Sequence, residues 1–141
     1  MAYDNADWHY GGDYPEGLPP ENGGTHIGMF IAWAIHNGLE GDIHHEDAAE
    51  ALAAVRDRTM TGREFLMTQC DEKFWEVDLN DEGNAFAQDY YSTNHYFNDY
   101  NDAVGDGLPS LYHVEDTWEN FDKVAAVLDQ RYEEWKSRQV K

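Results

Sequence analysis

Residues 25–37 read Thr-His-Ile-Gly-Met-Phe-Ile-Ala-Trp-Ala-Ile-His-Asn, and they establish the architecture of the chain. Thr25 is the expected N-cap of a helix, and Gly38 is its expected end. The large apolar residues point in nearly every direction around that helix: Ile27, Met29, Phe30, Ile31, Trp33 and Ile35. A helix that is apolar on all sides is buried on all sides. We therefore predict a central helix from Thr25 to about Asn37.

Further helical signals follow on the C-terminal side. Acids open and arginines close a second predicted helix, from about Glu46 to Asp57, as the helix dipole favours. Thr61-Gly-Arg-Glu64 is a capping box that opens a third helix. Two shorter helices are predicted over residues 78–92 and 94–104. Apolar residues at steps of three and four predict a long final helix from about Val114 to Arg138.

The fold class follows from these elements. Because no segment shows sustained alternation of apolar and polar residues, we predict an all-α fold. It would be a compact bundle of about five to six helices around the buried central helix. Glycine, proline and aromatic residues dominate residues 1–24, where we expect an ordered but irregular arm packed on the helical body. The length of 141 residues fits one domain, 1–141.

Charge is the most unusual property of the composition. The chain has 29 Asp and Glu against 9 Lys and Arg, which gives a formal net charge of −20, whereas small soluble domains typically carry roughly 2 to 8 charges. The hydrophobic fraction of 41%, with 5 Trp, 9 Tyr and 6 Phe, excludes a disordered acidic tail. Self-repulsion at this density is tolerable with a basic partner, bound cations or a salty cytoplasm. Nucleic acid and anionic membranes would repel the chain, so we expect neither as a partner.

Three features of the sequence favour a cytoplasmic location. Cys70 is the single cysteine and cannot form an internal disulfide. The first twelve residues lack the basic and apolar regions of a secretory signal. The longest apolar run, Ile27–Ile35, is too short to span a bilayer.

Residue types used in catalysis occur without a recognisable arrangement. Cys70 is flanked by Asp71 and Glu72, whose charges would raise the thiol pKa and weaken it as a nucleophile. The cluster His44-His45-Glu46-Asp47 lacks the i, i+4 spacing of a zinc-binding helix, and helix capping with surface solvation explains it better. We interpret three other histidines as structural: His26, His36 and His113. We therefore expect no enzyme activity and assign no catalytic residue, metal ligand or cofactor.

One segment, Asp78–Asp89, resembles a calcium loop. It places oxygen-bearing side chains at loop positions one, three, five and twelve, and glycine at position six. It departs from that pattern at Asp89, where a longer Glu is usual, and at Ala85, where a β-branched residue is usual. We prefer a turn in which Asn80 or Asp78 caps the next helix. A divalent-cation-binding protein or metal-dependent enzyme using this loop is one alternative, and an acidic housekeeping domain adapted to high salt is another.

The strongest functional signal lies between Asp71 and Asp106, where ten acids accompany the single base Lys73. Tyr and Trp are preferred anchors of protein interfaces, and carboxylates around them would steer a basic partner. Because the four tyrosines of this segment cannot all point inward from short helices, we expect some of them to be exposed. The predicted partner-binding residues are Glu72, Trp75, Glu76, Asp78, Asp81, Glu82, Tyr90, Tyr91, Tyr96, Asp99, Tyr100 and Asp102.

Several motifs run through the chain, among them Trp8-His-Tyr-Gly-Gly-Asp13, Thr25-His-Ile-Gly-Met-Phe30, Thr61-Gly-Arg-Glu-Phe65, Cys70-Asp-Glu-Lys-Phe74 and Leu108-Pro-Ser-Leu-Tyr-His-Val-Glu-Asp-Thr-Trp118. In these motifs the chain resembles an uncharacterised bacterial family of small acidic domains, a domain of unknown function. That resemblance implies no established activity. By analogy of type, small acidic single-domain proteins are similar to immunity proteins encoded beside bacterial toxins. We therefore predict a non-enzymatic immunity protein that binds and occludes a basic toxin domain.

Overall fold

The N-terminal arm contains regular structure, which the sequence analysis did not predict. The structure is a computed structural model that describes residues 2–11 and 14–139; Gly12 and Asp13, at the end of the first motif, lie outside the described residues. Strand β1 (Ala2–Asn5) leads directly into helix α1 (Ala6–Tyr10), and a 3₁₀ turn spans Pro20–Gly24. The arm contributes one fully buried residue, Ala6. The prediction that it is irregular is wrong, since a strand partner is supplied from far along the chain.

Helix α2 (Thr25–His36) is the predicted central helix, and its side chains are buried from Thr25 to Ile35. Its start differs in one detail from the prediction. The preceding 3₁₀ turn runs straight into the helix, so Gly24 is the N-cap and Thr25 is the first helical residue. The helix ends as predicted, with Gly38 in the left-handed region at φ +70°.

The second predicted helix is two helices, α3 (Asp42–Asp47) and α4 (Ala49–Arg56), because Ala48 leaves the helical conformation at φ −139°. Helix α5 (Gly62–Gln69) begins with the predicted capping box. Helices α2 and α5 cross at two glycines: a Cβ on Gly28 would lie 2.3 Å from the Arg63 nitrogen, and one on Gly62 would lie 1.8 Å from the Gly28 oxygen. This close crossing requires glycine on both helices.

A two-stranded antiparallel sheet corrects the purely helical prediction. Strand β2 (Lys73–Trp75) pairs with β1 so that Ala2 is opposite Trp75 and Asn5 is opposite Lys73. Strands of three and four residues are too short to show the alternation that identifies a strand in a sequence. The mainly helical character is confirmed in the described part of the chain.

The remaining elements complete the body. A 3₁₀ turn at Glu76–Asp78 follows β2, and it is followed by helices α6 (Asp81–Tyr90) and α7 (His95–Tyr100). A π-helical turn, Asn101–Gly105, extends α7, and a 3₁₀ turn spans Leu111–His113. The final helix, α8 (Trp118–Gln139), buries a stripe at steps of three and four: Phe121, Val124, Leu128, Tyr132 and Trp135. Val114 precedes this helix, so the predicted start was four residues too early.

Candidate functional site

The residues predicted to bind a partner fall into two groups by exposure. One group is exposed or partly exposed: Glu72, Trp75, Glu76, Asp81, Glu82, Asp99 and Asp102. The other group is buried: Asp78, Tyr90, Tyr91, Tyr96 and Tyr100. That the exposed residues bind a partner stays a prediction. The buried residues are not accessible to a partner in the free protein.

The expectation that some of the four tyrosines are exposed is wrong. Tyr90 is 5% exposed, and the other three are at most 1% exposed. Three of the buried hydroxyls have acceptors: Tyr90 donates to Asp99 at 2.6 Å, Tyr91 to Asp4 at 2.6 Å and Tyr96 to the His26 carbonyl. The Tyr100 hydroxyl has no partner among the described residues. Burial raises the pKa of all four phenols. These side chains are core residues in the free protein.

An exposed apolar strip lies next to Asp78, the one carboxylate of the buried group. We define it by Trp75, Val77 and Ile43, whose exposed fractions are 43%, 41% and 43%. Trp75 and Val77 belong to β2 and the following 3₁₀ turn, and α3, which carries Ile43, packs against that turn. The Gly41 amide donates to the Asp78 carbonyl at 2.9 Å, and a Cβ on Gly41 would lie 2.1 Å from the Val77 oxygen. Glycine is therefore required where α3 meets the turn.

Beneath the apolar strip lies a buried cluster formed by His44, Cys70 and Asp78, which we call the His44 cluster. The His44 Nε2 atom is 2.8 Å from Asp78 Oδ1, and the Cys70 Sγ atom is 3.6 Å from the same oxygen. The Trp75 amide donates to Asp78 Oδ2 at 2.9 Å. Burial raises the pKa of the Cys70 thiol, and the Asp78 charge raises it further. The cluster thus fixes the backbone of Trp75 to α3 and keeps the thiol protonated.

A second buried cluster joins β1, α1 and α2 through Asp4, His9 and His26, and we call it the Asp4 cluster. Asp4 Oδ1 is 2.7 Å from His9 Nε2, and Asp4 Oδ2 is 3.2 Å from His26 Nε2. The Tyr91 hydroxyl donates to Oδ2 at 2.6 Å, and the backbone amide of Asn5 donates to Oδ1 at 2.8 Å. All four interactions converge on one carboxylate that is 3% exposed.

Electrostatics favours a charged carboxylate and a neutral imidazole in the Asp4 cluster. Burial opposes ionisation of Asp4, but hydrogen bonds with His26 and His9 outweigh it and hold the Asp4 pKa well below its usual range. Burial lowers the pKa of His26, whose side chain is fully buried. The two imidazole rings meet edge to face, with centroids 4.5 Å apart and planes at 86°. His9 Nδ1 lies 2.7 Å from the Tyr112 hydroxyl.

All three buried carboxylates of the described chain face a histidine. Besides Asp4 and Asp78, Glu40 contacts His45 Nε2 at 3.0 Å and also pairs with Arg56. The neighbouring residues His44 and His45 therefore contact different carboxylates, Asp78 and Glu40, as expected of adjacent positions on a helix. The expectation that solvation explains this segment is wrong for His44, which is 5% exposed.

The other histidines singled out in the sequence analysis have protein partners. His36 Nε2 lies 2.9 Å from the Val55 carbonyl, and His113 Nδ1 lies 2.8 Å from the Ser110 hydroxyl. The structural interpretation of both is supported by these contacts.

The oxygen atoms of Asp78–Asp89 do not converge as a calcium loop requires. Asp78 faces the His44 cluster, Glu82 contacts the Tyr132 hydroxyl, and Asp89 contacts Arg138 at 3.3 Å. They diverge because α6 begins at Asp81, and a helix sends successive side chains outward. The preferred alternative is confirmed, since Asn80 Oδ1 accepts the Gly83 amide at 2.8 Å as an N-cap.

At the C-terminal end of the predicted interface, an open groove of about 540 Å³ lies between α6, α7 and α8. Arg131 in this groove binds both Asp99, at 2.9 Å, and Glu134, at 3.2 Å. The carboxylate of Asp99 is thus already paired with a base. Six of the ten acids between Asp71 and Asp106 lie between Asp71 and Glu82. The end of the predicted interface that carries Trp75 and Val77 is therefore its more acidic end.

The Asp4 cluster was not predicted from the sequence, although most of its residues belong to the sequence motifs. His9, His26 and Tyr112 each lie in one of those motifs, at positions where a structural role was expected or none was assigned. The signal was the recurrence of histidine and tyrosine in motifs far apart in the chain. It could not indicate which of these residues meet.

The comparisons with known proteins identify a family. A family described as "Domain of unknown function (DUF7832)" matches residues 2–114, so the chain belongs to that family. Neither the curated proteins nor the solved structures yield a match to this chain. Within the described residues, no helix has the length and apolar character needed to cross a membrane.

Proposed function

We propose that this protein is a non-enzymatic binding protein of the immunity type, which binds a basic toxin domain through the apolar strip and the carboxylates around it. The observation that carries the proposal is the exposure of Trp75 on an extremely acidic protein. Exposed tryptophans are characteristic anchors of protein interfaces because they bury a large area at low entropic cost.

The charges around the apolar strip support a basic partner. Between Asp71 and Glu82 the chain carries six carboxylates and one base, Lys73, and Asp42 directly precedes Ile43. Asp78 is the buried member of the six, so five carboxylates lie at or near the surface. Such a surface would accelerate association with a cationic domain and repel an anionic one.

The rigidity of the support is a second argument. Asp78 binds the Trp75 amide, His44 and Cys70 together, so the strip rests on a buried hydrogen-bonded cluster. An anchor held in place before binding loses less conformational entropy when the complex forms. The proposed mechanism is occlusion: carboxylates engage the cationic groups of the toxin, and Trp75 slows dissociation.

The test measures binding to the basic domain encoded beside the gene of this protein. We expect Trp75→Ala to weaken affinity by about 2 kcal/mol, mainly through faster dissociation. Trp8→Ala is the matched control, because Trp8 is 58% exposed but lies on α1, outside the strip. Glu16→Ala, an exposed acid of the arm, should cost well under about 1 kcal/mol.

Lys73 offers a variant with the opposite sign. Its side chain is exposed on the same face of β2 as Trp75. Lys73→Gln removes the only Lys or Arg between Asp71 and Glu82, so association should accelerate, and the gain should shrink as salt rises. Loss of binding in Trp8→Ala but not in Trp75→Ala would place the interface elsewhere. Metabolic enzymes rather than a basic domain in the gene neighbourhood would contradict the immunity role itself.

A further inference from the structure

The Asp4 cluster has the donor set of a metal site. Two imidazole Nε2 atoms and one carboxylate, supplied by β1, α1 and α2, lie within 4.8 Å of one another. Two histidines and one carboxylate are a common set for divalent transition metals, and they leave at least one coordination position open. We infer that Asp4, His9 and His26 form a binding site for one divalent transition-metal ion of the Zn²⁺ class.

The observed distances are close to those that the ion needs. With bonds of roughly 2.0–2.1 Å to nitrogen and oxygen, tetrahedral ligand atoms lie about 3.3 Å apart. His26 Nε2 is 3.2 Å from Asp4 Oδ2, and His9 Nε2 is 2.7 Å from the other oxygen, Oδ1, so the ion would lie on the carboxylate with His9 moved outward by about 0.6 Å. Both Nε2 atoms face the Asp4 carboxylate, one toward each of its oxygens.

The surroundings of the ligands also suit a metal. Ligating histidines usually give their second nitrogen to a hydrogen-bond partner that sets ring orientation, and His9 Nδ1 has that partner in Tyr112. The main chain of Tyr112 is fixed in turn by Asn22, whose side-chain amide donates to its carbonyl at 3.0 Å. Tyr91 orients the Asp4 carboxylate in the same way.

The chemistry of binding needs no proton to leave the protein. In a neutral imidazole the proton can move from Nε2 to Nδ1, which frees the Nε2 lone pair for the ion. His9 Nδ1–H would then donate to the Tyr112 oxygen. His26 Nδ1 has no hydrogen-bond partner among the described residues, and neither has the Tyr100 hydroxyl. The centroids of the His26 and Tyr100 rings are 6.0 Å apart.

A purely structural role explains less of this arrangement. Donors of any type would satisfy a buried carboxylate, whereas here two of them are histidines from different helices that present the same nitrogen, Nε2, to it. His9 is the most exposed of the three, with 16% of its side chain accessible, and it offers an entry route. The net charge of −20 would raise the local concentration of cations.

The experiment uses the full chain without a histidine tag, stripped with a chelator and titrated with Zn²⁺ or Co²⁺ alone. We expect one ion per chain, a higher melting temperature with Zn²⁺, and visible Co²⁺ absorption without a thiolate charge-transfer band. His9→Gln should abolish stoichiometric binding, since its amide can still donate to Asp4 but is a poor ligand for zinc. Tyr112→Phe, which alters only the outer partner, should weaken binding roughly 10-fold.

Two controls separate this site from other histidines. His95→Gln changes an exposed histidine outside the cluster, and His44→Gln changes the His44 cluster; both should bind like the unmodified protein. A thiolate band that disappears in His44→Gln would assign the metal to the His44 cluster and overturn the inference. Failure of the unmodified protein to bind either ion, or unchanged binding in His9→Gln, would also overturn it. Circular dichroism checks the fold of each variant. The Co²⁺ absorption spectrum of the unmodified protein tests the site even if a variant does not fold.

Discussion

The Asp4 cluster and the His44 cluster use the same chemistry for different ends. Each places histidine against a carboxylate that is 3% or 4% exposed. In the Asp4 cluster two imidazoles, a phenol and an amide meet one carboxylate, and the histidine nearest the surface is partly accessible. In the His44 cluster one imidazole, a weak thiol donor and the Trp75 amide meet it, and all three side chains are buried. The difference lies in what else the carboxylate binds: at Asp4 a second imidazole completes the proposed metal site, whereas at Asp78 the Trp75 amide ties the carboxylate to the apolar strip.

The largest expected effect concerns the reactivity of Cys70. Burial and the Asp78 charge raise the pKa of this thiol, so the reactive thiolate is almost absent in the folded protein. We expect labelling by a thiol reagent at pH 8 to be at least ~10³-fold slower than in the unfolded chain, since native populations exceed unfolded ones by that factor or more. The rate is measured with and without urea.

The pH dependence of labelling sharpens this prediction. In urea the rate should rise as pH approaches the ordinary thiol pKa of about 8.5, whereas in the native protein the thiol itself should stay protonated. Asp78→Asn should speed native labelling because it removes the charge that raises the thiol pKa. Fast labelling of the unmodified native protein would show that the His44 cluster is open to solvent, unlike the structure described here.

The next effect compares the two carboxylates directly. Removing one partner of a buried charged pair costs about 3–5 kcal/mol. Asp4→Ala should lie at the upper end, because it leaves four donors without an acceptor, and Asp78→Ala should lie at the lower end, with three. Urea denaturation measures both free energies of unfolding, and Glu16→Ala serves as the exposed control. A larger loss in Asp78→Ala would reverse the comparison.

A smaller effect separates two buried tyrosines near the Asp4 cluster. The Tyr96 hydroxyl donates to the His26 carbonyl, whereas the Tyr100 hydroxyl has no partner among the described residues. Tyr96→Phe should therefore cost about 1 kcal/mol of unfolding free energy, and Tyr100→Phe should be neutral or slightly stabilising. The two variants remove the same atom, so equal losses in denaturation experiments would show that Tyr100 also has a hydrogen-bond partner.

The smallest expected effect lies on the apolar strip that the His44 cluster supports. Trp75→Ala removes an exposed side chain, while the backbone bond to Asp78 remains. Its free energy of unfolding should change by no more than about 0.5 kcal/mol. Thermal and urea denaturation test this, and a loss of several kcal/mol would mean that Trp75 is part of the core rather than a binding surface.

Much of the fold was predictable because local chemistry determines it. The apolar residues all around α2 require burial wherever the helix lies, and the stripe on α8 requires a helix with one buried side. The caps at Thr61 and Asn80 depend only on residues three positions away. The acidic composition, on which the proposal of a basic partner rests, is likewise independent of any fold.

The candidate sites could not be predicted because their parts are distant in the chain. Tyr91 reaches Asp4 across 87 positions, and His44 reaches Asp78 across 34. The two strands of the small sheet could not be predicted either, because each is too short to be recognised in the sequence without its partner. Whether a tyrosine points inward depends on the side chains that other segments pack around it. Composition and local pattern are properties of neighbouring residues, whereas burial, hydrogen-bond partners and convergent ligand atoms arise only when the helices pack.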